Sequence, residues 1–156
     1  MSAELGGWDA YASAVVRIDA PGGVIWLRPA PVTRTDGRYP DPDGRPICVL
    51  TAHNPAGRLA SDEANDAAHT RLESELRRRG LTWWPAAGGD PPWRHVEASV
   101  ALVGLPEADA IALGAAFNQD AIFVFTPADR RIVSCTDDRM VETGWMIGYC
   151  AAEKCV

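Results

Sequence analysis

The order of apolar runs between residues 46 and 126 constrains the fold more than any other feature of this sequence. A nearly continuous apolar run at 47–52 has the composition of a central strand buried on both faces. A helix is predicted from Ser61, which can cap its start, to Arg79, where Gly80 ends it. Further strands are predicted at 81–85, 95–103 and 121–125, with a second helix beginning at Gly104. This order of strand, helix, strand, strand, helix and strand predicts an α+β fold, the ferredoxin-like split β-α-β sandwich.

That fold assigns positions to the four strands. Those containing Ile47 and Val96 are expected at the centre of the sheet, and those containing Trp83 and Ile122 at its edges. Pro85 supports an edge position for the Trp83 strand, because proline lacks the N–H that a sheet interior uses. The two helices cover one face of such a sheet and leave the other face to be covered by something else.

Three segments of sequence surround or follow this core, residues 46–126, in what is expected to be one domain, 1–156. An N-terminal hairpin is predicted at 14–28, where two β-rich runs flank a Pro-Gly-Gly turn. Residues 28–45 hold four prolines and read as a loop. The hairpin, the C-terminal extension at 130–156 or a second copy of the chain could cover the open face of the sheet.

Charge and hydropathy exclude several classes of partner. The formal net charge is -6, so a general nucleic-acid or anionic-membrane surface is not expected. No apolar run approaches the roughly 18 residues of a membrane span, and the N-terminus has no signal-peptide pattern. These features predict a cytoplasmic protein with neither a nucleic acid nor a membrane as its partner.

The four cysteines predict no metal site and no cofactor follows from any motif. Cys48 lies inside an apolar run, where a small buried side chain is the simplest interpretation. Cys150 and Cys155 are separated by four residues and have no second pair, which is poor spacing for zinc. The sequence also lacks a Walker loop, a G-x-S-x-G elbow and an H-E-x-x-H motif.

The middle of the chain resembles a bacterial family of unknown function, number 3293, over roughly residues 46–126. The residues that carry the resemblance are Thr51-Ala52-His53-Asn54-Pro55, Ser61, Asn65, Leu72, Pro85-Ala86, Asp90-Pro91, Trp93, Glu97, Gly104-Leu105 and Phe117–Ile122. Asn118 departs from the pattern, because glycine is common there. The resemblance implies a shared fold and a shared site, and it implies no particular chemistry.

Polar residues gather where the first core strand ends and the third and fourth begin, which is one end of the predicted sheet. Loops on a rigid scaffold are where binding sites commonly lie, so these residues are the predicted ligand-binding set. They are Thr51, His53, Asn54, Arg58, Asn65, Asp90, Trp93, Glu97 and Gln119. Each also has an ordinary structural explanation: Asn54-Pro55 favours turns, and Glu97 can pair with Arg94.

Three functions remain open from the sequence. The preferred hypothesis is a binding module whose loops hold a small polar ligand or a protein partner. The second is a small hydrolase or transferase that uses His53 with Asn54 and Arg58, or Glu97 with Asp90. The third is an assembly protein that covers its open sheet face by forming a homodimer.

Overall fold

The structure, a computed structural model, describes residues 7–148. Its helices are α1 (Gly7–Ser13), α2 (Asp62–Arg79) and α3 (Glu107–Ala116). Its strands are β1 (Val15–Ala20), β2 (Gly23–Ala30), β3 (Thr35–Asp36), β4 (Ile47–Thr51), β5 (Trp83–Gly89), β6 (Val96–Val103), β7 (Ala121–Phe125), β8 (Arg130–Ser134) and β9 (Met140–Ile147). A 3₁₀ turn at Pro55–Gly57 lies between β4 and α2.

Eight of the strands form a closed antiparallel β-barrel. Their order is β2-β1-β5-β6-β4-β7-β8-β9, and β2 pairs in turn with β9. The closing pairs run from Leu27 with Ile147 to Ala30 with Gly144. The two-residue β3 adds to β9 in parallel and takes no part in the closure.

The predicted fold class is therefore wrong, because a ferredoxin-like α+β sandwich has an open sheet with two edges. The strands of Trp83 and Ile122 are not edges: β5 also pairs with β1, and β7 also pairs with β8. The N-terminal hairpin is confirmed, but it extends the sheet instead of lying across its face. Pairing order within the middle segment is confirmed, since β5-β6-β4-β7 are neighbours and Leu50 pairs with Val100.

Closure creates two apolar layers that share β4. Ile47 and Val49 point into the barrel, where they pack with residues such as Leu27, Phe125 and Trp145. Cys48 and Leu50 point outward and lie beneath the two long helices. Because side chains alternate along a strand, both faces of β4 are buried, which explains its uninterrupted apolar sequence. The sheet face that the sequence analysis expected to be open, and that motivated the homodimer alternative, is the buried interior of the barrel.

The helices α2 and α3 lie side by side on the outer face of β4, β6 and β7. Leu72 and Leu76 of α2 and Leu113 of α3 are fully buried in this layer. Ser61 caps α2 by accepting a hydrogen bond from the amide of Ala64, and Gly80 ends the helix in the left-handed conformation, both as predicted. Within residues 7–148, no helix combines the length and the apolar character that a membrane crossing requires.

Helix α1 is attached to the barrel by a buried arginine. Arg130 has no exposed surface, and its guanidinium donates hydrogen bonds to the carbonyl oxygens of Tyr11 (2.8 Å) and Ala14 (3.2 Å). The same guanidinium lies 5.2 Å from the ring centre of Phe123, against which the ring of Tyr11 packs edge-on. Burial lowers the pKa of Arg130 to about 10. This cation is held by the carbonyl end of α1, with no carboxylate partner in the described chain.

Candidate functional site

Three polar side chains from different elements meet at one end of the barrel. The side-chain oxygen of Asn54 accepts hydrogen bonds from the side-chain nitrogen of Asn65 (3.0 Å) and from the backbone N–H of Ala60 (2.9 Å). Its side-chain nitrogen donates to a carboxylate oxygen of Glu97 at 2.8 Å. The backbone N–H of Asn54 donates to the side-chain oxygen of Asn65, also at 2.8 Å. We call Asn54, Asn65 and Glu97 the asparagine network; it joins the loop after β4 to α2 and β6.

The loop that carries Asn54 has a tightly wound backbone. Asn54 adopts the left-handed conformation (φ 49°), which asparagine tolerates better than most residues. Ala56, two residues later, is also left-handed (φ 58°), and its amide donates to the carbonyl oxygen of Asn118 at 2.6 Å. Asn118 is itself left-handed (φ 56°). The turn after β4 is thereby fastened to the turn after α3.

Three more of the predicted residues support the same loop. The side chain of Gln119 donates to the carbonyl oxygen of His53 at 3.1 Å, across the gap between the two turns. The hydroxyl of Thr51 donates to the carbonyl oxygen of Ala98 on β6 (2.8 Å) and accepts from the amide of His53 (3.0 Å). Six of the nine predicted site residues therefore converge. Most of them form hydrogen bonds with other members of the same six.

The other three predicted residues do not join this cluster. The carboxylate of Asp90 accepts from the backbone amides of Arg94 and His95, so it shapes the turn between β5 and β6. Trp93 packs on Trp26 of β2 at a ring-centre distance of 4.8 Å. Arg58 is exposed beyond the 3₁₀ turn. Glu97 is bonded to Asn54, so neither Asp90 nor Arg94 is its partner.

Burial shifts the pKa values of Glu97 and His53 in opposite directions. Burial raises the pKa of Glu97, and the hydrogen bond from Asn54 partly offsets that rise. The pKa of His53 is lowered, first by burial and then by the neighbouring His69. The two imidazole rings are 6.1 Å apart and nearly perpendicular, and the Nε2 atom of His53 is buried without a hydrogen-bond partner. The folded protein therefore favours a neutral His53.

This shift makes stability fall on acidification. Because the pKa of His53 is lower in the folded than in the unfolded state, its contribution is present above pH 6.5 and is lost as pH falls through the folded pKa. Replacing His53 by phenylalanine keeps an aromatic ring and removes the titration, so His53→Phe should flatten the fall in melting temperature between pH 7 and pH 5. The control is His95→Phe, at an exposed position. An equal acid sensitivity in wild type and His53→Phe would contradict this assignment.

A groove adjoins the asparagine network on the helix side of the sheet. It encloses about 430 Å³ and is lined by Ala52, Pro55, Ala68, Arg71, Glu75, Arg79, Leu113, Ala116, Phe117 and Asn118. Pro55 and Asn118 belong to the two turns that the Ala56–Asn118 hydrogen bond fastens together. The predicted polar residues at this end therefore hold one wall of the groove in place, and none of the nine predicted residues lines it.

Sequence reasoning missed the charged residues of this groove. Arg71, Glu75 and Arg79 are four residues apart and so form one row on α2. Such a row on an exposed helix face has the same sequence pattern as an ordinary solvated surface. Only the position of α3 beside α2 identifies this row as one wall of a groove.

The thiols near the helix layer are poor nucleophiles. Burial raises the pKa of Cys48 to about 12 and that of Cys135 to about 11, so both are protonated at neutral pH. In the described chain, no three His, Cys, Asp or Glu side chains are grouped as a metal site requires. Cys150 and Cys155 lie outside the described residues.

The comparison with protein families identifies the segment that contains this site. Residues 50–122 match the family described as protein of unknown function, DUF3293. The match confirms the resemblance predicted from the sequence, and it covers just under half of the chain. The matched segment runs from the end of β4 to the start of β7, so it contains both the asparagine network and the groove. No curated protein and no solved structure gave a match.

Proposed function

We propose that this chain is a binding module and that the groove between α2 and α3 holds a small ligand. The supporting observation is the combination of a 430 Å³ concavity with a wall that the buried asparagine network fixes. Its volume lies within the roughly 300–1,000 Å³ typical of small-molecule sites. The buried residues of its lining, Ala52, Ala68 and Leu113, are apolar, and a few polar groups line it as well, which is the usual composition of such a site.

Preorganisation supports this function. A loop that orders only on binding adds an entropic cost to association, and a loop already fixed by hydrogen bonds avoids that cost. Asn54 and Asn65 are almost fully buried and satisfy each other, so the turn at Pro55–Gly57 is held in one conformation. The groove is therefore formed before any ligand arrives.

A thermal-shift screen against a panel of acidic, basic and neutral metabolites tests the proposal. Two variants locate any binding: Ala116→Trp fills the groove, whereas Ala115→Trp places the same side chain on exposed α3 surface away from the groove lining. We expect at least one compound to raise the melting temperature of wild type and Ala115→Trp but not of Ala116→Trp. Stabilisation by no compound, or equal stabilisation of both variants, would overturn the proposal.

A further inference from the structure

The charges of the groove point to the chemistry of its ligand. Glu75 is the one acidic residue that lines it, and its carboxylate is already occupied by the guanidinium groups of Arg78 and Arg79. These two arginines lower the pKa of Glu75 to about 2, so the carboxylate stays ionised and paired. The negative charge of Glu75 is therefore neutralised by two arginines of the same helix, α2.

Arg71 remains as the uncompensated charge. It lines the groove one helical turn before Glu75, and it forms no hydrogen bond or ion pair within residues 7–148. The two arginines and one glutamate of the lining leave a net positive charge, on a chain whose overall charge is -6. A guanidinium offers two parallel N–H groups that match the two oxygens of a carboxylate.

The rest of the lining carries no charge: it is apolar except for Asn118. The apolar lining residues are Ala52, Ala68, Leu113, Ala116 and Phe117, with Pro55 at the loop end. These side chains offer van der Waals contact to a hydrocarbon or aromatic body, and the neutral amide of Asn118 adds no charge for a second anionic group. A single unpaired guanidinium beside such a surface complements one negative charge on an apolar skeleton.

We propose that the ligand of this groove is a small amphipathic monocarboxylate, whose carboxylate pairs with Arg71 and whose apolar body packs between α2 and α3. This inference rests on the proposed function and adds the ligand class to it. A neutral compound of the same shape gains the apolar contacts but not the ion pair.

Titration calorimetry with 4-phenylbutyrate and its neutral amide tests the ligand class. We expect wild type to bind the acid about tenfold more tightly than the amide, the equivalent of about 1.4 kcal/mol. Arg71→Gln should abolish that preference, and Arg71→Lys should retain part of it because lysine keeps the charge without the planar pair of donors. The matched control is Arg77→Gln, which removes the same charge from an exposed position of α2 outside the groove lining.

The outcomes separate this inference from the proposed function. If acid and amide bind the groove equally, or if Arg71→Gln and Arg77→Gln weaken acid binding equally, the carboxylate assignment is wrong and the binding module stands. If only compounds of another class stabilise the protein, and do so through the groove, the carboxylate assignment is again wrong. If nothing binds the groove in either experiment, both proposals fail.

Discussion

Replacing Asn54 by alanine is expected to lower the free energy of unfolding by about 3 kcal/mol. The substitution removes the acceptor for Ala60 and Asn65 and the donor for Glu97, leaving buried polar groups without partners. It also places alanine in a left-handed conformation that asparagine tolerates better. Urea unfolding of wild type and variant at pH 7 measures the difference.

Asn118 provides the control for backbone strain. It has the same left-handed conformation as Asn54, but it is exposed and its side chain forms no hydrogen bond with a described residue. Asn118→Ala should therefore cost only about 1 kcal/mol, the strain part of the Asn54 effect. If the two variants lose equal stability, the asparagine network contributes nothing beyond the local backbone preference.

Replacing Arg130 by methionine is expected to destabilise the protein by about 3 kcal/mol and to release α1 from the barrel. Methionine fills much of the space, but it leaves the carbonyl oxygens of Tyr11 and Ala14 without their donor. The guanidinium of Arg139 lies 4.4 Å from the ring centre of Trp8 on α1. Because the chain has six tryptophans, the emission of Trp8 is taken as the difference between each protein and the same protein carrying Trp8→Phe, and it reports whether α1 is docked. We expect a red-shifted emission together with the loss of stability.

The adjacent Arg131 is the matched control, because alternation places it on the outer face of β8. Its guanidinium pairs with Glu107 and Asp129 and is partly exposed. Arg131→Met should cost less than about 1 kcal/mol, as partly exposed ion pairs usually do, and should leave the emission of Trp8 unchanged. An unchanged emission in Arg130→Met as well would mean that Arg130 does not hold α1.

The middle of the fold could be predicted because its signals are local. The apolar run of β4, the Ser61 cap and the Gly80 stop each act within a few residues, and they correctly placed α2 and the four-strand order. Pro85 led to the wrong prediction of an edge strand. The pairing of β5 with β1 ends at Ala86, so Pro85 lies just outside it and its missing N–H is not needed there. A proline can occupy such a position in a strand that is paired on both sides elsewhere.

Closure of the barrel could not be predicted because it depends on contacts between distant segments. Strand β9 has no regular apolar alternation and carries Gly144 in its middle, which in the sequence looks like a break in a strand. In the fold that glycine is required, since a Cβ atom there would lie 1.8 Å from the carbonyl oxygen of Arg34. The reason for the glycine thus lies more than a hundred residues away along the chain.

The candidate site also has a part that could be predicted from the sequence and a part that could not. Polar residues at strand ends could be assigned to one end of the sheet from topology, and six of them meet there. Which of them face a ligand depends on how α2 and α3 pack, and the sequence contains no local signal for the groove between them.

Amide hydrogen exchange at Asn54 and Ala60 tests the asparagine network most directly. Both amides lie outside helices and strands, and each donates to a network side chain: Asn54 to Asn65, and Ala60 to Asn54. We predict exchange nearly as slow as that of the β4 amides, and rapid exchange at Asn54 in an Asn65→Ala variant that remains folded. Exchange in wild type as fast as at the exposed turn residue Gly22 would contradict a preformed loop, and with it the wall of the proposed site.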